Sequence, residues 1–106
     1  DDGLALAQMA HGGAGCISVT GNVAPRLVSQ FQNACLGGKF DEARALHERL
    51  APLHEALFVE ASPGPVKFGA NLLGKCEADV RLPICEIAES SKTAVRKAMT
   101  DVGLLN

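Results

Sequence analysis

One short segment limits what this chain can fold into. Residues 16–20, CISVT, set Ile17 and Val19 on one face and Cys16, Ser18 and Thr20 on the other, the period of two that marks a β-strand. Both faces are small or apolar, as in a parallel sheet covered on both sides. No other segment has this pattern. A strand's N–H and C=O groups need neighbours on either side, and each one buried without a partner costs roughly 1–3 kcal/mol, so a few of them outweigh much of the ~5–15 kcal/mol that stabilises a whole domain. A lone buried strand is therefore excluded. Either residues 15–20 are not a strand, or the chain is part of a larger α/β protein whose other strands lie outside these 106 residues. The second expectation is favoured because the chain starts at Asp1, without methionine, where a helix begins.

Everything else reads as helix and turn. The acidic pair Asp1 and Asp2 suits a helix start, Leu6, Met9 and Ala10 share a face, and Gly12 and Gly13 close a short helix. Pro25 fits a first helical turn, followed by Leu27, Val28, Phe31, Ala34 and Cys35 at helical spacing up to Gly37 and Gly38. From Phe40, the residues Ala43, Leu46, Leu50, Leu53 and Leu57 form one apolar seam. Pro52 interrupts it, which predicts a kink over 48–52 or two shorter helices. A further helix starts after Ser62 as cap, turns Val66, Ala70 and Leu73 inward and stops at Gly74. Residues 75–87 read as a loop. A last helix over 89–102 buries Val95, Ala98, Met99 and Val102 and stops at Gly103.

Composition removes several functional classes. Ten basic and twelve acidic residues are interspersed, giving a formal charge of -2, so no basic footprint for nucleic acid exists. No apolar run approaches the roughly 20 residues of a membrane span, and a signal peptide's basic start and apolar core are absent from the sequence. Cys16, Cys35, Cys76 and Cys85 stand 19, 41 and 9 residues apart with no C-x-x-C pair, which predicts free buried thiols in a reducing cytoplasm. A Cys76–Cys85 disulfide is the alternative.

Several segments are recognisable together: DD before a short helix, GGAGCISVTGNVAPR, FDEARALHERLAPLHEALFVEASPGPVKF, RLP, and a closing VRKAM helix. In this order they resemble the C-terminal portion of the dihydrodipicolinate synthase family, within the pyruvate-dependent aldolase superfamily that also contains N-acetylneuraminate lyase. The resemblance implies an α/β fold, the C-terminal part of a (β/α)8 TIM barrel followed by an α-helical extension. Residues 1–38 would hold the end of the barrel (helix 7, strand 8, helix 8), and residues 39–106 the C-terminal helical extension. Residues 17–19 would be the eighth strand, with both neighbours upstream of Asp1.

The resemblance also implies the chemistry. A lysine on the sixth strand forms a Schiff base with pyruvate, whose enamine adds to L-aspartate 4-semialdehyde in the lysine and diaminopimelate route. That lysine, the tyrosine and threonine of the proton relay and the arginine for the second substrate would lie upstream, and this chain has no tyrosine. Catalytic residues are therefore expected outside it. Ile17 is the residue expected to contact pyruvate, and Asp1 and Asp2 are expected at the rim of the second-substrate pocket, with plain helix capping as the alternative role for the pair. No cofactor, metal, nucleic acid or membrane is implied; a cytoplasmic homotetramer is. ISVTGNV follows the synthase pattern, whereas Ser62, Gly64 and Phe68 replace the usual asparagine, isoleucine and tryptophan of the later segment. Other aldolases of the superfamily and a self-standing helical interaction module, docking through the leucine seam, are the competing functions.

Three further features have a sharper and a plainer reading. His47 and His54 lie seven apart on one helix but have no third ligand at metal spacing, which predicts polar surface histidines. Lys67 reads as a snorkelling helix lysine rather than an imine former. The glycines of GGAGC run helix, glycines, strand, the reverse of a phosphate loop.

Overall fold

The computed structural model describes all 106 residues, Asp1–Asn106. It contains five α-helices, α1 (Ala5–Ala10), α2 (Pro25–Leu36), α3 (Phe40–Ala56), α4 (Gly64–Leu72) and α5 (Glu89–Asp101), with 3-10 turns at Asp2–Leu4 and Thr20–Asn22. Residues 13–18 belong to no element. The expected strand is thus not formed. From residue 14 to 18, no backbone N–H or C=O joins another backbone group, and a strand exists only through such bonds.

Helix α3 is the beam on which the rest is laid. Its seam serves two cores: Ala43 packs with Ala5 and Met9 of α1 and with Phe31, Ala34 and Cys35 of α2. Further along, Leu50, Leu53, Ala56 and Leu57 pack with Val66 of α4, with Val95, Ala98 and Met99 of α5, and with Val102. Burying each of these leucines stabilises the fold by about 1.5–3 kcal/mol. Packing therefore runs across the turn at residues 37–39 that separates the two expected regions. Of the two outcomes expected at Pro52, a split into two shorter helices does not occur: α3 continues through it as one helix. Pro52 is exposed, so the carbonyl it leaves without an amide lies on the solvent side of the helix.

Helix ends follow the glycines. At the end of α2, the amide of Lys39 bonds the Ala34 carbonyl (2.8 Å) and that of Gly38 bonds the Cys35 carbonyl (3.1 Å), with Gly38 at φ +72°, a Schellman closure that needs a left-handed residue. The same pair of bonds closes α1, α4 and α5 at Gly12, Gly74 and Gly103. Helix starts differ from expectation at α4: Pro63, not Ser62, occupies the cap, and no side chain bonds there. Gly69 lets α4 approach its neighbours, since a Cβ there would sit 3.2 Å from the Met99 sulfur and 3.3 Å from a Val23 methyl. Glu60 accepts the Ala88 amide (2.9 Å) at the start of α5, and Arg49 donates to the Val102 carbonyl (2.8 Å) at its end.

The result is a slab of 40 × 30 × 21 Å with a radius of gyration of 14.0 Å, against about 13 Å for a compact domain of this length. Replacing Leu53 by Ala removes the centre of the larger core and is expected to lower unfolding free energy by about 2–5 kcal/mol. Leu36→Ala, at a side chain 63% exposed, should change it by less than about 0.5 kcal/mol. Urea unfolding of both variants checks this, and equal losses would contradict the division between seam and surface.

Candidate functional site

The site assembles where the chain's first turn meets the segment after residue 17. Asp2 is buried, 5% exposed, and both of its carboxylate oxygens are engaged. Oδ1 accepts the Ser18 hydroxyl, and Oδ2 accepts the amides of Val19 (2.9 Å) and Thr20 (3.2 Å). Those amides open the 3-10 turn Thr20–Asn22 that leads into α2, where no intrahelical acceptor exists for them. Asp2 therefore performs the work of an N-cap from 18 residues away. Capping of its own helix, the alternative role read from sequence, is not what is seen: the cap position there is Asp1, with no side-chain bond. Ser18 completes the clamp by accepting the Gly21 amide at 2.8 Å.

Thr20 carries the clamp onward. It is fully buried, and its hydroxyl lies 2.7 Å from Nδ1 of His54 on α3. His54 is 8% exposed, which corrects the expectation of a surface histidine. Its position on the α3 seam, between Leu50 and Leu57, turns the ring inward. His47, half-buried, stands two turns earlier with ring centroids 6.5 Å apart. Burial pushes the His54 pKa down, Asp2 pulls it partly back up, and His47 adds to the depression. No three His, Cys, Asp or Glu side chains converge as a metal-ligand set.

Ile17 is entirely exposed, at 102%, and Asp1 is exposed too. These two residues line one open cleft of about 470 Å³ with Gln8, Gly15 and Cys16. Asp2 lies behind it as the anchor. Burial, reinforced by Asp2, pushes the Cys16 thiol pKa up, which suppresses thiolate formation in the cleft. No lysine lines it. A larger cleft, about 640 Å³, lies between α4 and the loop before α5, lined by Phe68, Val80, Leu82, Ile84, Ile87 and Lys92 among others. Its one cation is already paired with Glu86 (2.5 Å) and Glu89 (2.9 Å), and it gathers none of the sequence-predicted site residues, so the smaller cleft is the candidate.

The remaining sequence candidates lie elsewhere. Lys67 is half-buried and donates to the Asp79 carbonyl at 2.5 Å. All four cysteines are free, but Cys76 and Cys85 are exposed, against the expectation of four buried thiols. Both sit in the irregular stretch between α4 and α5, where apolar neighbours in sequence do not translate into a packed face. No helix is long and apolar enough to cross a membrane.

Two measurements follow from the clamp. Asp2→Ala strands two amides and a hydroxyl and is expected to cost about 1–3 kcal/mol of stability, read from thermal unfolding; an unchanged midpoint would contradict the clamp. For His54, the folded state disfavours the proton, so the unfolded chain binds more protons below its pKa of 6.5. Stability from this group is complete above pH 6.5 and is lost as pH falls below it through the lower folded value. Melting temperature should therefore fall on acidification, with a shallower fall in His54→Gln.

Comparison with known proteins places this geometry in a family. The model of the Dihydrodipicolinate synthetase family matches residues 1–102. The chain is 53% identical over all 106 residues to a 4-hydroxy-tetrahydrodipicolinate synthase from Afipia carboxidovorans, of which it spans 36%. Among solved structures it superposes on the dihydrodipicolinate synthase of Thermotoga maritima with a TM-score of 0.96 at 36% identity, covering 99% of this chain and 36% of that one. On the chloride-inhibited dihydrodipicolinate synthase of Acinetobacter baumannii complexed with pyruvate, the TM-score is 0.94 at 34% identity, covering 99% of this chain and 36% of that one. The chain thus spans about a third of the length of the relatives it matches, and over nearly all of its own residues it belongs to the dihydrodipicolinate synthetase family.

Proposed function

We propose that residues 1–106 form the C-terminal third of a (β/α)8-barrel lyase that condenses pyruvate with L-aspartate 4-semialdehyde, in the route to lysine and diaminopimelate. The observation that carries this reading is the bare segment 14–18: a chain matching the family over residues 1–102 leaves without backbone partners a stretch that runs into residues 17–19, which the family resemblance makes the eighth barrel strand. Residues 1–38 are the barrel's end and residues 39–106 the helical extension. The complete enzyme is a cytoplasmic homotetramer.

In this reading, an amine outside these residues attacks the pyruvate carbonyl and expels water, forming an imine. The protonated imine accepts the electron pair when a methyl proton leaves, and the resulting enamine carbon attacks the aldehyde. The present chain supplies shape rather than proton transfer. Ile17 offers an apolar contact to pyruvate from the eighth strand, and barrel enzymes build their sites at one end of such strands. Asp1, with its carboxylate exposed in the same cleft, and Asp2 behind it border the second substrate.

Borohydride trapping tests the division of labour. Incubated with pyruvate and reduced, the complete enzyme should gain an adduct of about 72 Da, whereas residues 1–106 alone should gain none. An adduct on the short chain would place the imine-forming amine within it and contradict the assignment. In the complete enzyme, Ile17→Asp should raise the pyruvate KM about tenfold or more; an unchanged KM would remove Ile17 from the site.

A further inference from the structure

We propose that the 14–18 segment is a docking edge for the portion of the complete enzyme that precedes Asp1, and that this contact keeps the barrel assembled even when the peptide link between the two portions is cut. The inference rests on the function proposed above and names the partner surface that it needs. The chain spans about a third of the length of the relatives it matches, so the larger part of such an enzyme is the occupant.

The frame of this chain is closed on itself. Both cores are built against α3, Asp2 and Thr20 tie the first turn to that helix, and Glu60 and Arg49 hold the two ends of α5. The docking edge is open. No backbone N–H or C=O of residues 14–18 meets another backbone group. Ile17 is 102% exposed, and Leu4, on the acidic turn that Asp2 ties to Val19, is 67% exposed. An eighth barrel strand has a neighbour on each side, and both, the first strand and the seventh, belong to the upstream portion. Docking therefore gives the segment partners on two edges at once, whereas a second copy of this chain offers only its own bare segment for one of them. The segment is a bonded strand in the assembled enzyme and bare in the separated chain, so the same amides report both states. Cutting the link removes the effective concentration that it supplies, roughly millimolar for a short flexible connection, and leaves these contacts to hold the pieces.

A protease recognition sequence placed immediately before Asp1 of the complete enzyme, and then cleaved, tests this. At micromolar concentration the two pieces should elute together at the volume of the uncut enzyme. Borohydride should still trap pyruvate on the upstream piece, and the amides of residues 14–17 should exchange at least about 100-fold more slowly than in the separated chain. Ile17→Pro makes the contact specific. The Ile17 amide has no partner within residues 1–106, so the substitution should leave the helix content and melting midpoint of the separated chain at wild-type values. In the strand it removes a ladder donor whichever neighbour that donor faces, and cleavage should then release residues 1–106. Separation of the wild-type pieces on cleavage, pairing of residues 1–106 with its own copy in place of the upstream piece, or an Ile17→Pro piece retained as tightly as wild type overturns the proposal; should Ile17→Pro keep the complete enzyme from folding, elution and exchange of the wild-type pieces decide it. A wild-type enzyme that does not condense pyruvate with the aldehyde overturns the functional reading beneath it, an outcome visible before any cut is made.

Discussion

A β-strand is a property of a pair, and residues 14–18 have no second member within this chain. That constraint organises the molecule. Helices satisfy their own backbone bonds, so the remaining segments form five of them, with α1, α2 and α5 packed on α3 and α4 packed on α5. The one segment that needs lateral partners stays irregular, with Ile17 standing out in solvent. Two cores, each built against α3, hold the frame around this bare stretch.

What fixes the stretch at its far end is polar. A buried carboxylate takes the amides of Val19 and Thr20 and the Ser18 hydroxyl, and Thr20 passes the connection to His54. Buried polar groups are tolerated because they are paired, and pairing gives direction as well as energy. The acidic turn, residues 18–20 and α3 are thereby held in one arrangement, so α3 is joined to the segment after Ile17 by more than the loop at residues 37–39. Asp1 and Ile17, two of the residues that the resemblance singles out, line one open cleft.

Much of this was legible in the residues. Apolar spacing placed all five helices, and glycines marked four of their ends, because helix periodicity and left-handed closure are local properties. The strand was legible as a pattern but not as a structure, since no other segment of this chain pairs with it. Pro52 does not divide α3 in two, because it falls on the exposed side of the helix. His54 was misplaced on the surface; His47, Leu50, His54 and Leu57 follow one another at steps of three and four, and that spacing was the available signal. Its partner, 34 residues away, was not available from spacing. Nor was the Asp2 clamp, which links two turns with no common period. The resemblance to a family named Ile17 and the acidic pair; only coordinates show that Asp1 and Ile17 share a cleft while Asp2 is spent on holding the chain.

Amide hydrogen exchange at residues 14–17 addresses the central point most directly. In the 106-residue chain these amides should exchange at close to the rate of an unfolded peptide, while those of α3 are protected; in the complete enzyme the same amides should become as slow as a barrel core. Strong protection of residues 14–17 in the short chain would mean that it supplies its own partners for this segment, which contradicts a strand left bare for want of its neighbours.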